Sequence, residues 1–445
     1  MNLAASTPPV ASHELLIFLL QVVVLLTLAF SLGRLAERLR LPAVVGELLA
    51  GVLVGPSLLG FLAPSLSNWL LPPAAPQARL LDGAAQIGVL LLVGVAGSYL
   101  DLPMLRRNKA TTAKIGLSSL IIPLGLGIAL ATVLPAALIP DSTNRGIFAL
   151  FLGTALCVTA IPVIAKTLSD LRMLHRDVGQ LTLAAGVVDD TIGWFLLSVV
   201  AAMATVGVSV LGVSLSVLYL TGFVLLAFAA RPAVRRLMRR ACRTSGAGPT
   251  MAVTVIVILV GAAITQALGL EAIFGAFVAG TVVGSPGCAD QTKLAPLRAV
   301  VMAVLAPLFL ATAGLRMDLT TLADPRVALA GLAILAVAIL GKFAGAYLGA
   351  RWSRMSHWES LAMGAGMNSR GVVEVVIATV GLRLGVLNTA TYTSIILVAV
   401  VTSLMGPPLL RMAMARVRQT DRERLRLAEH DSWDREIPSG RAEAA

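Results

Sequence analysis

The chain has 445 residues, 57% of them hydrophobic and only 13% charged, with a mean hydropathy of +0.89. A water-soluble domain carries about 25% charged residues, so a soluble globular fold is excluded. The net charge of +12 would suit a nucleic-acid binder, but the basic residues are distributed as membrane topology demands, and no nucleic-acid partner is expected.

Apolar runs near the ~20 residues that cross a bilayer follow one another in chain order. They predict thirteen spans, at about 14–33, 42–60, 83–100, 112–136, 145–166, 178–203, 207–230, 250–269, 271–286, 297–315, 327–349, 357–382 and 389–411. The fold class expected is an all-α polytopic membrane protein. No Lys or Arg precedes the first run, which is long enough to span rather than be cleaved as a signal. Loops and span ends on one side hold twenty basic residues, from Arg34, Arg38 and Arg40 through six Arg in 231–243 to Arg351 and Arg354. The other side holds five: Arg79, Arg145, Arg316, Arg326 and Arg383. Lys and Arg concentrate on the cytoplasmic side, which places the N-terminus outside, the C-terminus inside and the chain in the cell membrane.

The Arg-rich loop 231–248 divides the chain into halves of roughly six spans, as the inverted repeats of secondary transporters do. The tail from Arg411 to Ala445 is rich in Arg and Glu. A solvated helix near 421–429, lying against anionic headgroups, is expected there. Cys157, Cys242 and Cys288 form no spaced set, so neither disulfide nor zinc is indicated. His13, His175, His357 and His430 fall at span ends, in a loop or in the tail. No cofactor and no enzymatic constellation follows from them.

Two spans are interrupted in corresponding places. The fifth contains Gly153-Thr-Ala-Leu-Cys-Val-Thr-Ala-Ile-Pro162, where the proline is expected to free a carbonyl in mid-membrane. The twelfth contains Gly364-Ala-Gly-Met-Asn-Ser-Arg-Gly371, too Gly-rich and polar for an ordinary buried helix. Unwound backbone is tolerated at that depth only when it is buried in protein or lines a cavity. Matched interruptions point to a transporter's binding site.

Six ionisable residues lie within spans: Glu47, Asp189, Asp190, Lys342, Arg370 and Glu374. A carboxylate at the bilayer centre costs roughly 2.5–3.5 kcal/mol on insertion scales, so the adjacent aspartates need a function. Neighbouring helix positions point about 100° apart. One carboxylate can therefore face a water-filled cavity, holding either a dehydrated cation or a proton. The other can turn to a neighbouring helix, where Lys342 is the natural counter-charge. Hard cations take oxygen ligands, here Asp190, Asp189, the Thr159 hydroxyl and carbonyls freed in the fifth span. Arg370 and Glu374 are spaced for an i,i+4 pair; alternatively Arg370 binds freed carbonyls or Glu47. Gly46, Ala50, Gly51 and Gly55 form a small-residue packing face.

Five segments then resemble one family. They are Val45-Gly-Glu-Leu-Leu-Ala-Gly-Val-Leu-Val-Gly-Pro56, Val158-Thr-Ala-Ile-Pro162, Ala184-Ala-Gly-Val-Val-Asp-Asp190, Ala306-Pro-Leu-Phe-Leu-Ala-Thr-Ala-Gly-Leu315 and Ser369-Arg-Gly-Val-Val-Glu374. In this order they resemble the monovalent cation/proton antiporter superfamily, in the branch of bacterial Na+/H+ and K+/H+ exchangers and plant cation/H+ exchangers. The resemblance implies a homodimer whose protomers pair a scaffold with a mobile core containing two broken, crossing helices. The scaffold would comprise 14–105 and 250–319, the core 111–203 and 325–411, with 207–243 as linker and 412–445 as cytoplasmic tail. Asp190 would bind the cation and the proton, and Asp189 with Lys342 would form the adjacent ion pair. Arg370, Glu374, Asn368 and Glu47 would support them. Keeping Asp at 189 favours electrogenic Na+/H+ exchange by an elevator motion, with K+/H+ or broader Na+/K+/Li+ exchange as the alternative and a cation channel as a distant one.

Overall fold

The computed structural model describes residues 12–39, 41–72, 76–98, 109–206, 210–244, 246–285, 291–421 and 423–424. The expectations placed on Arg40, Arg106, Arg107, Cys288, His430 and the tail beyond residue 424 lie outside these residues. In a bilayer every backbone N–H and C=O must be satisfied within the protein, and the described chain is accordingly helical, with no strand.

The helices run α1 (Ser12–Arg38), α2 (Ala43–Val54), α3 (Pro76–Ser98), α4 (Lys109–Val133), α5 (Arg145–Cys157), α6 (Ile161–Asp170), α7 (Asp177–Val206), α8 (Val210–Ala229) and α9 (Arg231–Cys242). The second half holds α10 (Gly248–Ala267), α11 (Ala272–Val283), α12 (Gln291–Val300), α13 (Ala306–Leu315), α14 (Pro325–Trp352), α15 (His357–Met367), α16 (Val372–Arg383) and α17 (Thr389–Met414). A π-helical turn, Val301–Leu305, joins α12 to α13 just before Pro307, where a missing N–H breaks the regular ladder. Nine described helical stretches are long and apolar enough to cross a membrane, and a pair bent by 46° within α8–α9 makes a tenth. The thirteen expected spans exceed this number for a physical reason. The fifth and twelfth are each split into half-helices, and α11 is apolar but short.

On α1, Ile17, Gln21, Leu25, Ala29 and Gly33 form one buried stripe at four-residue spacing. Leu16, Leu19, Val23 and Phe30 stay exposed, as side chains that face lipid would. Contacts sort into two groups. In one, α1 packs on α2, α2 on α13, and α3 on α11, α13 and α10; in the other, α4 packs on α14, α5 and α7, and α17 on α14, α15 and α16. Close approach within each group depends on glycine. A Cβ at Gly51 would stand 1.9 Å from the carbonyl oxygen of Ala311, so only glycine allows α2 to cross α13 there. A Cβ at Gly345 would stand 2.5 Å from the carbonyl oxygen of Ser118. That near-contact of α14 with α4 brings Lys342, one turn earlier, up to the helices beyond.

Candidate functional site: the crossed half-helices and the paired aspartates

The interruption in the fifth span differs from the sequence expectation. α5 ends at Cys157, the chain is non-helical over 158–160 with Val158 extended, and α6 begins at Ile161. The break thus precedes Pro162, which falls in the first turn of α6. A proline is tolerated there because that N–H would have no helical partner anyway. The second break spans residues 368–371, between α15 and α16. The two breaks touch. The Ala160 N–H donates to the Ser369 carbonyl (3.4 Å), and the Arg370 carbonyl accepts from Ser403 Oγ of α17 (2.5 Å).

A helix C-terminus leaves carbonyls without partners and carries partial negative charge. At the end of α5 two buried cations meet them. Lys342 Nζ donates to the Cys157 carbonyl. Arg370 donates to the carbonyls of Leu156 (2.5 Å) and, at 3.5 Å, Ala155, and also to that of Ala338 in α14 (2.9 Å). Of the carbonyls freed at the end of α5 and expected to ligate a cation, those of Leu156 and Cys157, and more distantly Ala155, are therefore met by the protein's own side chains. Arg370 also pairs with Glu374 at 2.9 Å rather than with Glu47, so the i,i+4 pair and the carbonyl contacts coexist. Asn368 is fully buried, and neither of its amide atoms has a hydrogen-bond partner.

The aspartates stand one residue apart on α7 in unlike surroundings. Asp189 is wholly buried and engaged by three donors: Lys342 Nζ, Thr159 Oγ1 (2.6 Å) and Ser119 Oγ (3.0 Å). Thr159 is thus placed on Asp189 rather than on Asp190. Asp190 is 5% exposed and its Oδ1 has no hydrogen-bond partner. Its carboxylate lies at the backbone N–H of Ile161, the first residue of α6. It lines a cavity of about 750 Å³ between the two helix groups.

That cavity is mostly apolar, walled by Trp194, Phe277, Leu310 and Val373, with Glu47 of α2 also on its lining. At its rim are Glu37, Lys166, Arg298 and Arg411, all from the side rich in basic residues. Lys166 and Glu37 form a half-exposed ion pair there (2.6 Å). On the opposite side the helix groups are joined by Arg383 and Glu271 (2.6 Å), the latter nearly buried. Tyr392 also donates to the Ala313 carbonyl there (2.7 Å). Among the described residues no group of three or more His, Cys, Asp or Glu side chains is gathered as for a resident metal.

Two contributors escaped sequence reasoning. Ser119 holds Asp189 from α4; the signal was a polar Ser118-Ser119 pair in mid-span, where polar residues are expensive. The other is Glu423. The tail was expected to be solvated, but Glu423 is 3% exposed. It accepts from the backbone N–H of Asp177 (2.7 Å), at the start of α7, and pairs with Arg176 (3.3 Å). Burial pushes this carboxyl's pKa up, but the Asp177 and Thr420 N–H groups and Arg176 outweigh it and hold the pKa below the ordinary value.

Residues 22–415 match the sodium/hydrogen exchanger transmembrane family. The chain belongs to that family. It is 30% identical over 401 residues to the Na(+)/H(+) antiporter NhaS4 of Synechocystis, covering 89% of this chain and 97% of that protein. Cation/H(+) antiporter 17 of Arabidopsis thaliana is also 30% identical over 401 residues, covering 89% of this chain and 48% of its own. K(+)/H(+) antiporter 1 of Saccharomyces cerevisiae is 26% identical over 411 residues, covering 90% and 47%. The chain therefore spans about half the length of the plant and yeast relatives. In fold it is similar to the archaeal antiporter MjNhaP1 of Methanocaldococcus jannaschii, with a TM-score of 0.69 at 17% identity over 90% of this chain and 97% of that one. Membership of this exchanger family and the run of apolar helices make it a multi-pass membrane protein.

Proposed function

We propose that the protein is a secondary antiporter of the cell membrane that exchanges a monovalent cation, Na+ first, for H+. The observation that carries this reading is the contrast between the aspartates: Asp189 is saturated by donors, while Asp190 keeps an unpartnered oxygen at the end of a cavity. Asp190 then holds either the cation or the proton, competing for one carboxylate. A single carboxylate that swaps one charge for one charge is electroneutral. Electrogenic exchange takes a second proton, for which the Asp189–Lys342 pair is the candidate carrier.

In this reading the two helix groups are the scaffold and the mobile core. The crossed half-helices belong to the core, and thirteen crossings are reached by counting each broken pair and α11 as one span. The cavity's rim lies on the basic side, which supports an inward-open state closed outside by Arg383–Glu271 and Tyr392–Ala313. Movement of the core past the scaffold, elevator-fashion, would carry Asp190 to the other side. The homodimer follows from the family resemblance alone and belongs to the same proposal.

The test is reconstitution with a pH-sensitive dye inside acidified proteoliposomes, adding Na+, Li+ or K+ in turn. Na+ and Li+ should each drive proton efflux, and Asp190→Asn should abolish it with the folded, inserted protein retained. A response to K+ alone overturns the Na+ assignment. Undiminished exchange by Asp190→Asn overturns the site.

A further inference from the structure

The helix α9 joins the two halves of the chain and has no part in the site. The stretch 231–243 holds six arginines and no acidic residue. At 100° per residue, Arg231, Arg235, Arg239 and Arg243 succeed one another at four-residue spacing, and Arg236 and Arg240 widen the same arc. Val234, Met238 and Ala241 lie across the helix from that arc. Met238 is wholly buried with Val283 and Leu294, and Val234, Val253 and Val257 pack around them. Lys293 Nζ then donates to the carbonyls of Cys242 (2.7 Å) and Thr244 (2.8 Å), fastening the C-terminal end. The helix is thus fixed to α10 and α11, and its arginine arc has a fixed orientation.

Like charges four residues apart on a helix repel. Among the described residues Arg236, Arg239 and Arg240 make no ion pair, and all three are exposed. Beyond the arc, Ala233 and Leu237 are exposed as an apolar edge, Leu237 at 45%. The helix follows the apolar α8 directly at a bend of 46°, so it leaves the hydrocarbon at the level of the headgroups. A helix with an apolar edge and a cationic face at that depth has the form of an interfacial anchor. Guanidinium groups are the side chains best fitted to phosphate oxygens, through paired N–H donors.

We propose that α9 binds anionic phospholipid headgroups of the leaflet on the basic side, with Leu237 dipping to the acyl boundary, and so fixes the α10–α11 group to the membrane surface. A face that was merely solvated would tolerate any neutral lipid equally. The binding is independent of which cation is exchanged.

The full chain, reconstituted in phosphatidylcholine, is examined by electron paramagnetic resonance with spin-labelled phosphatidylglycerol or phosphatidylcholine. Several-fold preferential association of phosphatidylglycerol is expected, falling as NaCl rises and charges are screened. The triple variant Arg236→Gln/Arg239→Gln/Arg240→Gln should bring the ratio near one, and Arg236→Lys/Arg239→Lys/Arg240→Lys should keep most of it. Equal association of both lipids in the unaltered protein overturns the proposal, as does a preference that survives the glutamine variant. Displacement by millimolar inorganic phosphate would reassign α9 to a soluble anion. If the glutamine variant fails to fold, the salt titration and the lysine variant decide: a salt-insensitive preference, or one lost with lysine, overturns the reading.

Discussion

The surroundings of Asp189 and of Asp190 differ as much as two places in this molecule can. Around Asp189, side chains from α4, α14 and the first break converge, and every carboxylate oxygen is engaged. Around Asp190 there is a cavity, one backbone N–H and an unpartnered oxygen. The residues are chemically identical and adjacent, so rotation about the α7 axis and the choice of neighbouring helices make the difference. A buried charge must be paired, whereas a carboxylate left partly unsatisfied beside a cavity is available to something that arrives.

The contrast is broken most severely from the Asp189 side. Lys342→Ala leaves an unpaired carboxylate in a fully buried site, a change worth about 3–5 kcal/mol of destabilisation. It should appear as a large fall in the melting temperature of detergent-solubilised protein. Pairing it with Asp189→Asn should recover part of that loss, because the orphaned charge is removed as well. Strictly additive losses would mean that the two side chains do not act as a pair.

Smaller changes sharpen the same comparison. Thr159→Ala and Ser119→Ala each delete one hydrogen bond to a charged group, worth about 1.5–3 kcal/mol in general. The loss should be larger for Thr159, whose contact is the shorter. Both should alter stability and the voltage dependence of exchange more than cation affinity, since both hydroxyls donate to Asp189. A selective loss of cation affinity in Ser119→Ala would show that Asp189 and Asp190 are not separate in function.

The smallest effect is expected at the tail. Because the Glu423 carboxyl is held below its ordinary value, docking of the tail on α7 is complete above the ordinary carboxylate pKa, roughly 4.3. It is lost as pH falls through the lower, folded value. The protection factor of the Asp177 amide, its exchange rate divided into the intrinsic rate at the same pH, should therefore be high and level near neutrality and fall only in acid. Glu423→Gln should lower that protection near neutrality and remove the acid step.

Much of the fold was legible because bilayer thickness imposes a length on apolar runs. The interruptions were legible too, but not their details. At the fifth span the break falls ahead of Pro162, since a proline sits comfortably in a first helical turn. Carbonyls freed there look in sequence like ligands for a cation. Arg370 and Lys342 reach them across the fold, from positions more than 180 residues away. Ser119 was hidden for a similar reason: a mid-span serine normally bonds to its own helix, as this one also does to the Gly116 carbonyl. The docked Glu423 could not be read from a tail whose composition is that of a solvated helix.

The sequence by itself determined that this is a membrane protein of many helices, with charges buried inside several spans and two spans interrupted. Hydrocarbon solvation leaves few other ways to arrange such a composition. Only the tertiary structure decided which aspartate is enclosed and which meets the cavity. That outcome depends on the rotation of α7 and on the glycine-mediated approach of α14 to α4, which brings Lys342 within reach of one carboxylate while the other remains beside the cavity.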